Sequence, residues 1–254
     1  MAKPTGALRR HAALQGMISV IIPTLNEAEL LPATLHRLQA NRAPNEILVA
    51  DGGSRDETTG LADKAGARVI HSPRRGRAAQ MNLATTAARG EVFLFLHADT
   101  WLGPDALNQI TEALARPGIV GGGFARRFRS SSLFLRLSCA VGAWRSGCLG
   151  WFFGDQGIFV RRAVFKQVGG FRDWPLFEDL DFSRRIARVG QITMLRSNVV
   201  SSARRFAARG AFLTTASDVW LTVRYLAGAD PHRLGRKRRP SGIAAHNERP
   251  SGHR

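Results

Sequence analysis

The chain is poor in the features that several function classes require. It has two cysteines, Cys139 and Cys148, which excludes a disulfide framework or a cysteine-built zinc cluster and fits a reducing cytoplasm. No charge-free apolar stretch of about 18 residues occurs, so no membrane span is expected. The N-terminal segment lacks a basic flank followed by about 7–15 apolar residues, so no secretory signal is expected either. Acids are scarce, 19 against 37 lysines and arginines, for a net charge of +18. The excess is clustered at Arg74-Arg75-Arg77, Arg126-Arg127-Arg129, Arg204-Arg205-Arg209 and Arg233-Arg236-Lys237-Arg238-Arg239. Such charge favours nucleic acid, anionic lipid headgroups or a diphosphate. An arginine-rich composition with solvated faces gives the same count, so charge alone does not choose among them.

What is present is an ordinary globular composition, 44% hydrophobic over 254 residues, enough for one large α/β domain. The pattern divides into a loose leader at 1–16, a domain at 17–203, an amphipathic helical segment at 204–229 and a basic tail at 230–254 expected to be irregular. Ile18-Ser19-Val20-Ile21-Ile22 reads as a buried strand stopped by Pro23. Ile47–Ala50, Arg68–Ile70 and Val92–Leu96 read as further strands, with helical spacing after each. Ser54 and Glu57 are spaced as a capping box for a helix reaching about Ala65. Four strand–helix alternations predict a mostly parallel sheet with flanking helices, whose ligands bind beyond the carboxyl ends of the strands. Polar residues gather at those ends: Thr24, Asn26 and Glu27, then Asp51, then His97 and Asp99. In the less regular second half, Gly121-Gly122-Gly123 suggests a strand with close backbone approach. Residues 132–153 suggest an apolar helix or lid, and 206–226 an amphipathic helix.

Four constellations carry chemistry. Asp51, followed by Gly52 and Gly53, offers a carboxylate to a base or ribose hydroxyl, or else only shapes a turn. Leu96-His97-Ala98-Asp99-Thr100 ends an apolar strand in a group suited to Mg²⁺ or Mn²⁺, with Asp99 as the ligand. His97 is either a second contact or a satisfied, half-buried histidine. Gly76 and Arg77, with Asn82 farther along the helix, suit an anion at a helix N-terminus. Glu178-Asp179 offers a general base for an acceptor hydroxyl, or caps a helix. Since successive residues point apart, only one of the pair faces the substrate. The loop Phe153-Gly154-Asp155-Gln156-Gly157 is a further polar patch.

Taken in order, Ile18–Glu27, Asp51–Asp56, Arg75–Ala78 with Asn82, His97–Asp99 and Glu178-Asp179 resemble glycosyltransferase family 2 over about residues 17–200. Within it the chain looks most like the small bacterial subgroup named for arsenosugar biosynthesis. The resemblance implies a GT-A fold, a nucleotide-diphosphate sugar donor (a UDP-sugar by default) and inversion at the anomeric carbon. It implies that Pro23, Thr24, Asn26 and Glu27 line the nucleotide, that Asp51 contacts the base and that Gly76 and Arg77 meet the nucleotide edge. Asp99 would hold Mg²⁺ or Mn²⁺, and Asp179, ahead of Glu178, would be the catalytic base. Arg204 and Arg205 are expected to close over the diphosphate. The family's usual metal motif opens with Asp where this chain has His97, and the Gln-x-x-Arg-Trp element of processive members is absent.

The resemblance implies a small-molecule or lipid-linked hydroxyl acceptor, and a cytoplasmic location is expected. The 206–226 helix and basic tail are suited to an anionic membrane surface. Two other classes compete. A basic nucleic-acid binder leaves the acids at strand ends unexplained. A nucleotidyltransferase places a Gly-rich basic loop where Thr24–Glu27 stands.

Overall fold

A computed structural model describes residues 16–238 except 42, 44, 131, 203, 205 and 207–209. Arg205 and the basic run from Arg239 therefore lie outside the described residues. The strands are β1 (Ile18–Thr24), β2 (Asn45–Asp51), β3 (Arg68–His71), β4 (Val92–Phe95), β5 (Thr100–Trp101), β6 (Ile119–Phe128), β7 (Ile158–Arg161) and β8 (Gln191–Ser201). The helices are α1 (Leu31–Gln39), α2 (Thr58–Lys64), α3 (Arg77–Ala87), α4 (Ala106–Ala115), α5 (Leu133–Leu149), α6 (Arg162–Gln167), α7 (Glu178–Ile186), α8 (Ala211–Leu226) and α9 (Pro231–Arg238).

One sheet runs β3-β2-β1-β4-β7-β6-β8-β5. Strands β3, β2, β1 and β4 are parallel, as the alternating pattern predicts. β7 then enters antiparallel between β4 and β6, and β8 lies parallel to β6. The β1 strand is buried throughout, Pro23 included, and continues to Thr24 opposite Asp51. Pro23 therefore does not stop the strand as expected. Two apolar layers sandwich the sheet: Ile18, Val20, Ile22, Leu35 and Leu107 on one face, and Ile21, Phe93, Phe95, Phe165 and Phe182 on the other. Gly122 sits where any Cβ would collide with the Thr193 carbonyl, so the glycine run is what lets β6 lie between β7 and β8.

Two further local expectations fail, and one strand carries no sequence signal. The capping box does not form: Glu57 is the N-cap of α2 without a side-chain bond, and Ser54 Oγ instead donates to Asp51. β8 had no strand signal, because Arg196, Ser197 and Asn198 interrupt its apolar alternation at an irregularity in the β6 pairing. Pro231–Arg238, the described part of the tail expected to be irregular, forms α9. Leu234 anchors that helix in a third cluster with Leu176, Phe177, Leu180 and Leu221.

Candidate active site

The parallel register places the carboxyl ends of β1, β2 and β4 along one edge. Gln80 on α3, 4% exposed, secures the first two by donating to the carbonyls of Thr24 (2.8 Å) and Ala50 (2.7 Å). The loops that follow are stitched to each other. Asn26, in a left-handed conformation (φ 55), donates its amide to Ser54 Oγ and accepts from the Arg55 amide. The Glu27 amide donates to Thr58 Oγ1, and the Ala28 amide to Asp56.

Asp51 lies beneath these loops, 2% exposed, and accepts from the Gly53 and Ser54 amides (both 2.9 Å), Ser54 Oγ (2.5 Å) and Thr24 Oγ1 (3.3 Å). Burial pushes its carboxyl up, but the donors outweigh burial and hold it below the usual carboxylate range. Its oxygens are thus committed to shaping the loop.

Beyond β4, Glu27 takes both oxygens to Arg204 (2.8 and 3.0 Å), whose Nε stands 3.8 Å from Asp99 Oδ2. Arg129 lies over the Trp101 ring (3.7 Å) and donates to the Asp99 carbonyl (3.3 Å). The Asp99 side chain is 19% exposed and receives only a 3.4 Å contact from Thr100, so its oxygens have room for a hard cation. Among the described residues no group of three or more His, Cys, Asp or Glu is placed to cage an ion. A cation at Asp99 would therefore draw its other ligands from substrate oxygens and water, which suits Mg²⁺ or Mn²⁺.

The second half supplies the opposite wall. The 3-10 turn Gly154–Gln156 is fixed by Gln156, 2% exposed, whose amide donates to the Phe124 carbonyl and accepts from Arg145 and the Phe153 amide. Arg145 lies over the Phe153 ring (4.2 Å), and burial lowers its guanidinium to about 10. Asp155 pairs with Arg126 at 2.5 Å. Burial raises Asp155, but Arg126 and the other nearby positive groups prevail and leave it below the carboxylate range.

The Gly154 amide donates to Asp179 Oδ2 (2.7 Å), and a Cβ at Gly154 would lie 2.6 Å from His97 Nε2 and 3.2 Å from that same oxygen. His97 and Asp179 therefore face each other across Gly154. Burial, reinforced by Glu178, raises the Asp179 carboxyl against the opposing effect of Arg77 and two backbone donors. Burial and Arg77 together lower His97, despite Asp155, Asp99 and Asp179, so the imidazole is neutral near pH 7.

Glu178, 2% exposed, is paired with Arg77 at 2.7 Å. Glu178 Oε2 and Asp155 Oδ1 are buried without a hydrogen-bond partner, two acceptor positions unfilled by protein. Asp181 is structural, held by Arg185 (2.7 Å) and Arg172 (3.3 Å).

The sequence-selected residues thus divide. Thr24, Asn26 and Glu27 stand at and just after the end of β1 with Asp51 beside them, Glu27 is joined to Asp99 through Arg204, and His97 and Asp179 meet at Gly154. Arg77 is ion-paired with Glu178. Gly76 begins α3 at φ 129, a conformation few other residues adopt. Asn82 is a brace: its amide donates to the Phe171 carbonyl (2.8 Å) and accepts from the Phe171 amide (2.9 Å). Gln80 carries no local signal, being a lone Gln in a helix, whereas Arg126, Arg129 and Gln156 stand in the basic run and the polar loop without a spacing that names their partners.

Comparison with known proteins bears on the family and the fold. A model described as glycosyl transferase family 2 matches residues 19–171. A Mycobacterium tuberculosis PGL/p-HBAD biosynthesis glycosyltransferase is 30% identical over 213 residues, covering 75% of this chain and 77% of that one. A TPR repeat-containing protein of Synechococcus elongatus is 34% identical over 106 residues, which are 41% of this chain and 26% of the relative. The fold is similar to that of the mannosyltransferase PcManGT of Pyrobaculum calidifontis, determined with GDP-Man and Mn2+. That likeness has a TM-score of 0.67 and 19% identity, covering 89% of this chain and 72% of that one. S. aureus TarS with UDP-GlcNAc gives a TM-score of 0.57 at 18% identity over 73% of this chain and 58% of that one. The architecture is that of the GT-A glycosyltransferases, and the chain belongs to glycosyltransferase family 2.

Proposed function

We propose that this glycosyltransferase is an inverting, non-processive enzyme that moves a sugar from a nucleotide diphosphate to an acceptor hydroxyl, with Asp179 as general base. The observation that carries this reading is that Asp179 and His97 meet at Gly154, with His97 and Asp99 on the one short loop between β4 and β5. Asp179 is preferred to Glu178 because Glu178 is bound in a buried pair with Arg77. The elevated Asp179 carboxyl is also better matched to taking a proton near neutral pH. As the hydroxyl oxygen bonds to the anomeric carbon, its proton passes to Asp179 and the bond to the diphosphate breaks. One displacement of this kind inverts the centre.

A divalent cation held at Asp99, Mg²⁺ or Mn²⁺, would supply charge neutralisation for the leaving diphosphate. Arg204, with its charge reinforced by Glu27 and Asp99, is positioned to add to it. Thr24, Asn26 and Glu27 would line the nucleotide, for which UDP is the default. The Leu96–Thr100 run and the Phe153–Gly157 loop support a place in the subgroup named for arsenosugar biosynthesis.

Among the described residues no helix is long and apolar enough to cross a membrane. Peripheral attachment to an anionic membrane, from the cytoplasmic side, is supported by α5 and α8. They leave Leu133, Leu137, Phe212 and Leu213 65–75% exposed on a strongly basic protein. The deciding experiment is a panel of nucleotide sugars with Mn²⁺, scored for nucleoside diphosphate release by wild type, Asp99→Asn and Asp179→Asn. Release by wild type alone supports the reading. Equal release by Asp179→Asn overturns the base assignment.

A further inference from the structure

Helix α5 turns Arg145 and Ser146 inward, towards the segment that carries the Gly154–Gln156 turn. Arg145 grips that segment on both sides of Gly154. Its Nε donates to the Trp151 carbonyl (3.2 Å), its Nη2 donates to Gln156 Oε1 (2.8 Å), and its guanidinium lies over the Phe153 ring (4.2 Å). Gln156 in turn uses both ends of its amide. Nε2 donates to the Phe124 carbonyl of β6 (3.1 Å) and to Ser146 Oγ (3.0 Å), and Oε1 also accepts from the Phe153 amide (3.1 Å). We infer that Arg145 is a positioning residue for glycosyl transfer: through Gln156 and the turn it sets the place of the Gly154 amide, and with it the aim of the Asp179 carboxylate. The inference rests on the reading of Asp179 as general base and adds the residue that orients it.

Two observations carry the step from the turn to the base. Asp179 Oδ1 accepts from the Leu180 amide (2.7 Å), which belongs to the same helix and moves with it. Oδ2 accepts from the Gly154 amide (2.7 Å), which among the described residues is the hydrogen-bond donor that reaches this carboxylate from outside α7. The turn also lies close against what it serves. A Cβ at Gly154 would stand 2.6 Å from His97 Nε2, and one at Gly157 (φ 63) would stand 3.2 Å from the Phe124 ring. A small displacement of the turn is therefore felt directly by the base, and a misplacement of about 1 Å costs on the order of 10²-fold in rate.

The chemistry of Arg145 argues against packing as its whole role. Its hydrogen bonds go to uncharged acceptors, and burial lowers its guanidinium to about 10. A partly buried cation bonded to neutral groups gains less stability than an apolar side chain of similar volume would. What it supplies is direction: a rigid fork whose donors fix the Trp151 and Gln156 carbonyl oxygens at once.

The test is a kinetic double-mutant cycle on the full chain. Release of nucleoside diphosphate is followed with Mn²⁺ and the nucleotide sugar that the donor panel selects, over a range of donor concentrations, with water as the acceptor. Arg145→Met should lower kcat by about 10²-fold while donor KM stays within about twofold and the melting curve is little changed. Arg145→Lys, which keeps the charge and one donor, should recover about tenfold of that loss, and it carries the same comparison if Arg145→Met does not fold. In an Asp179→Asn background, Arg145→Met should cost less than about threefold, because the group it aims is gone. An equal loss in both backgrounds overturns the inference and leaves Asp179 as the base. So does a raised donor KM with kcat intact, the mark of a donor-binding residue, or a lowered melting temperature with kcat intact, the mark of a purely structural one. Turnover by Asp179→Asn alone at the wild-type rate would instead defeat the base assignment, and the inference with it.

Discussion

The two halves of the cleft use their carboxylates differently. In the first half, Asp51 and Asp56 accept hydrogen bonds from the loops that contain them and from Thr24, Thr58 and Ala28. In the second half, Asp155 and Glu178 face arginines brought from distant elements, and Asp179 is held only by two backbone amides. The first set is spent on its own loops, and in the second Asp155 and Glu178 are ion-paired while Asp179 has no ion pair among the described residues. A carboxylate buried under its own loop is a framework group, whereas one raised by burial and a neighbouring acid is poised to exchange a proton.

Substitutions can break or sharpen that contrast. The largest effect is expected from Asp179→Asn, which should lower kcat by about 10²–10⁴-fold with little change in donor KM. A comparable loss of donor affinity in stopped-flow binding would show that Asp179 belongs to the framework set. Gly154→Ala should follow, because its Cβ would crowd His97 and Asp179 together. A loss of about 10²-fold in kcat with an unchanged melting curve is expected from displacement of reacting groups.

Asn82→Ala should act only on stability, by about 1–3 kcal/mol, since it leaves the Phe171 backbone groups unpaired. A rise in donor KM at constant melting temperature would restore the binding role that the sequence pattern implied. The smallest effects are pH effects. Activity requires ionised Asp179, whose proton is lost at a higher pH than an ordinary carboxylate's, so the acid limb of kcat should lie above the ordinary range. Asp51 is shifted the other way. Its folded form binds protons less readily than the unfolded one, so its contribution is complete above the unfolded value of about 4 and is lost as pH falls through the lower folded value. Acid unfolding curves of Asp51→Asn should be flatter than wild type across that window.

The same division explains what could be read from the sequence. β1 to β4 announce themselves by continuous apolar runs with polar residues at their ends, so the crevice and its acids follow from strand topology. β8 does not, because its outer residues are polar where the pairing with β6 shifts. The Arg77–Glu178 and Arg126–Asp155 pairs join elements far apart in the chain, and no spacing rule connects them. Asn82 falls on a motif that implies a ligand contact, and its side-chain amide is bonded to the Phe171 backbone, a partner far away in the chain. The base could be narrowed to two adjacent acids. Only the partner of each decides between them.

Phe177, immediately before the acid pair, occupies a left-handed conformation (φ 65) that a bulky side chain seldom adopts, and its ring is stacked on Tyr225 of α8 at 4.7 Å. Gly235 of α9 packs so tightly on Pro175 that a methyl there would lie 2.7 Å from the proline ring. The last two helices are therefore a splint for the segment that delivers Asp179. A proteolytic nick near Gly228, or a bulky fusion close behind α9, should silence turnover at a distance while nucleotide recognition survives.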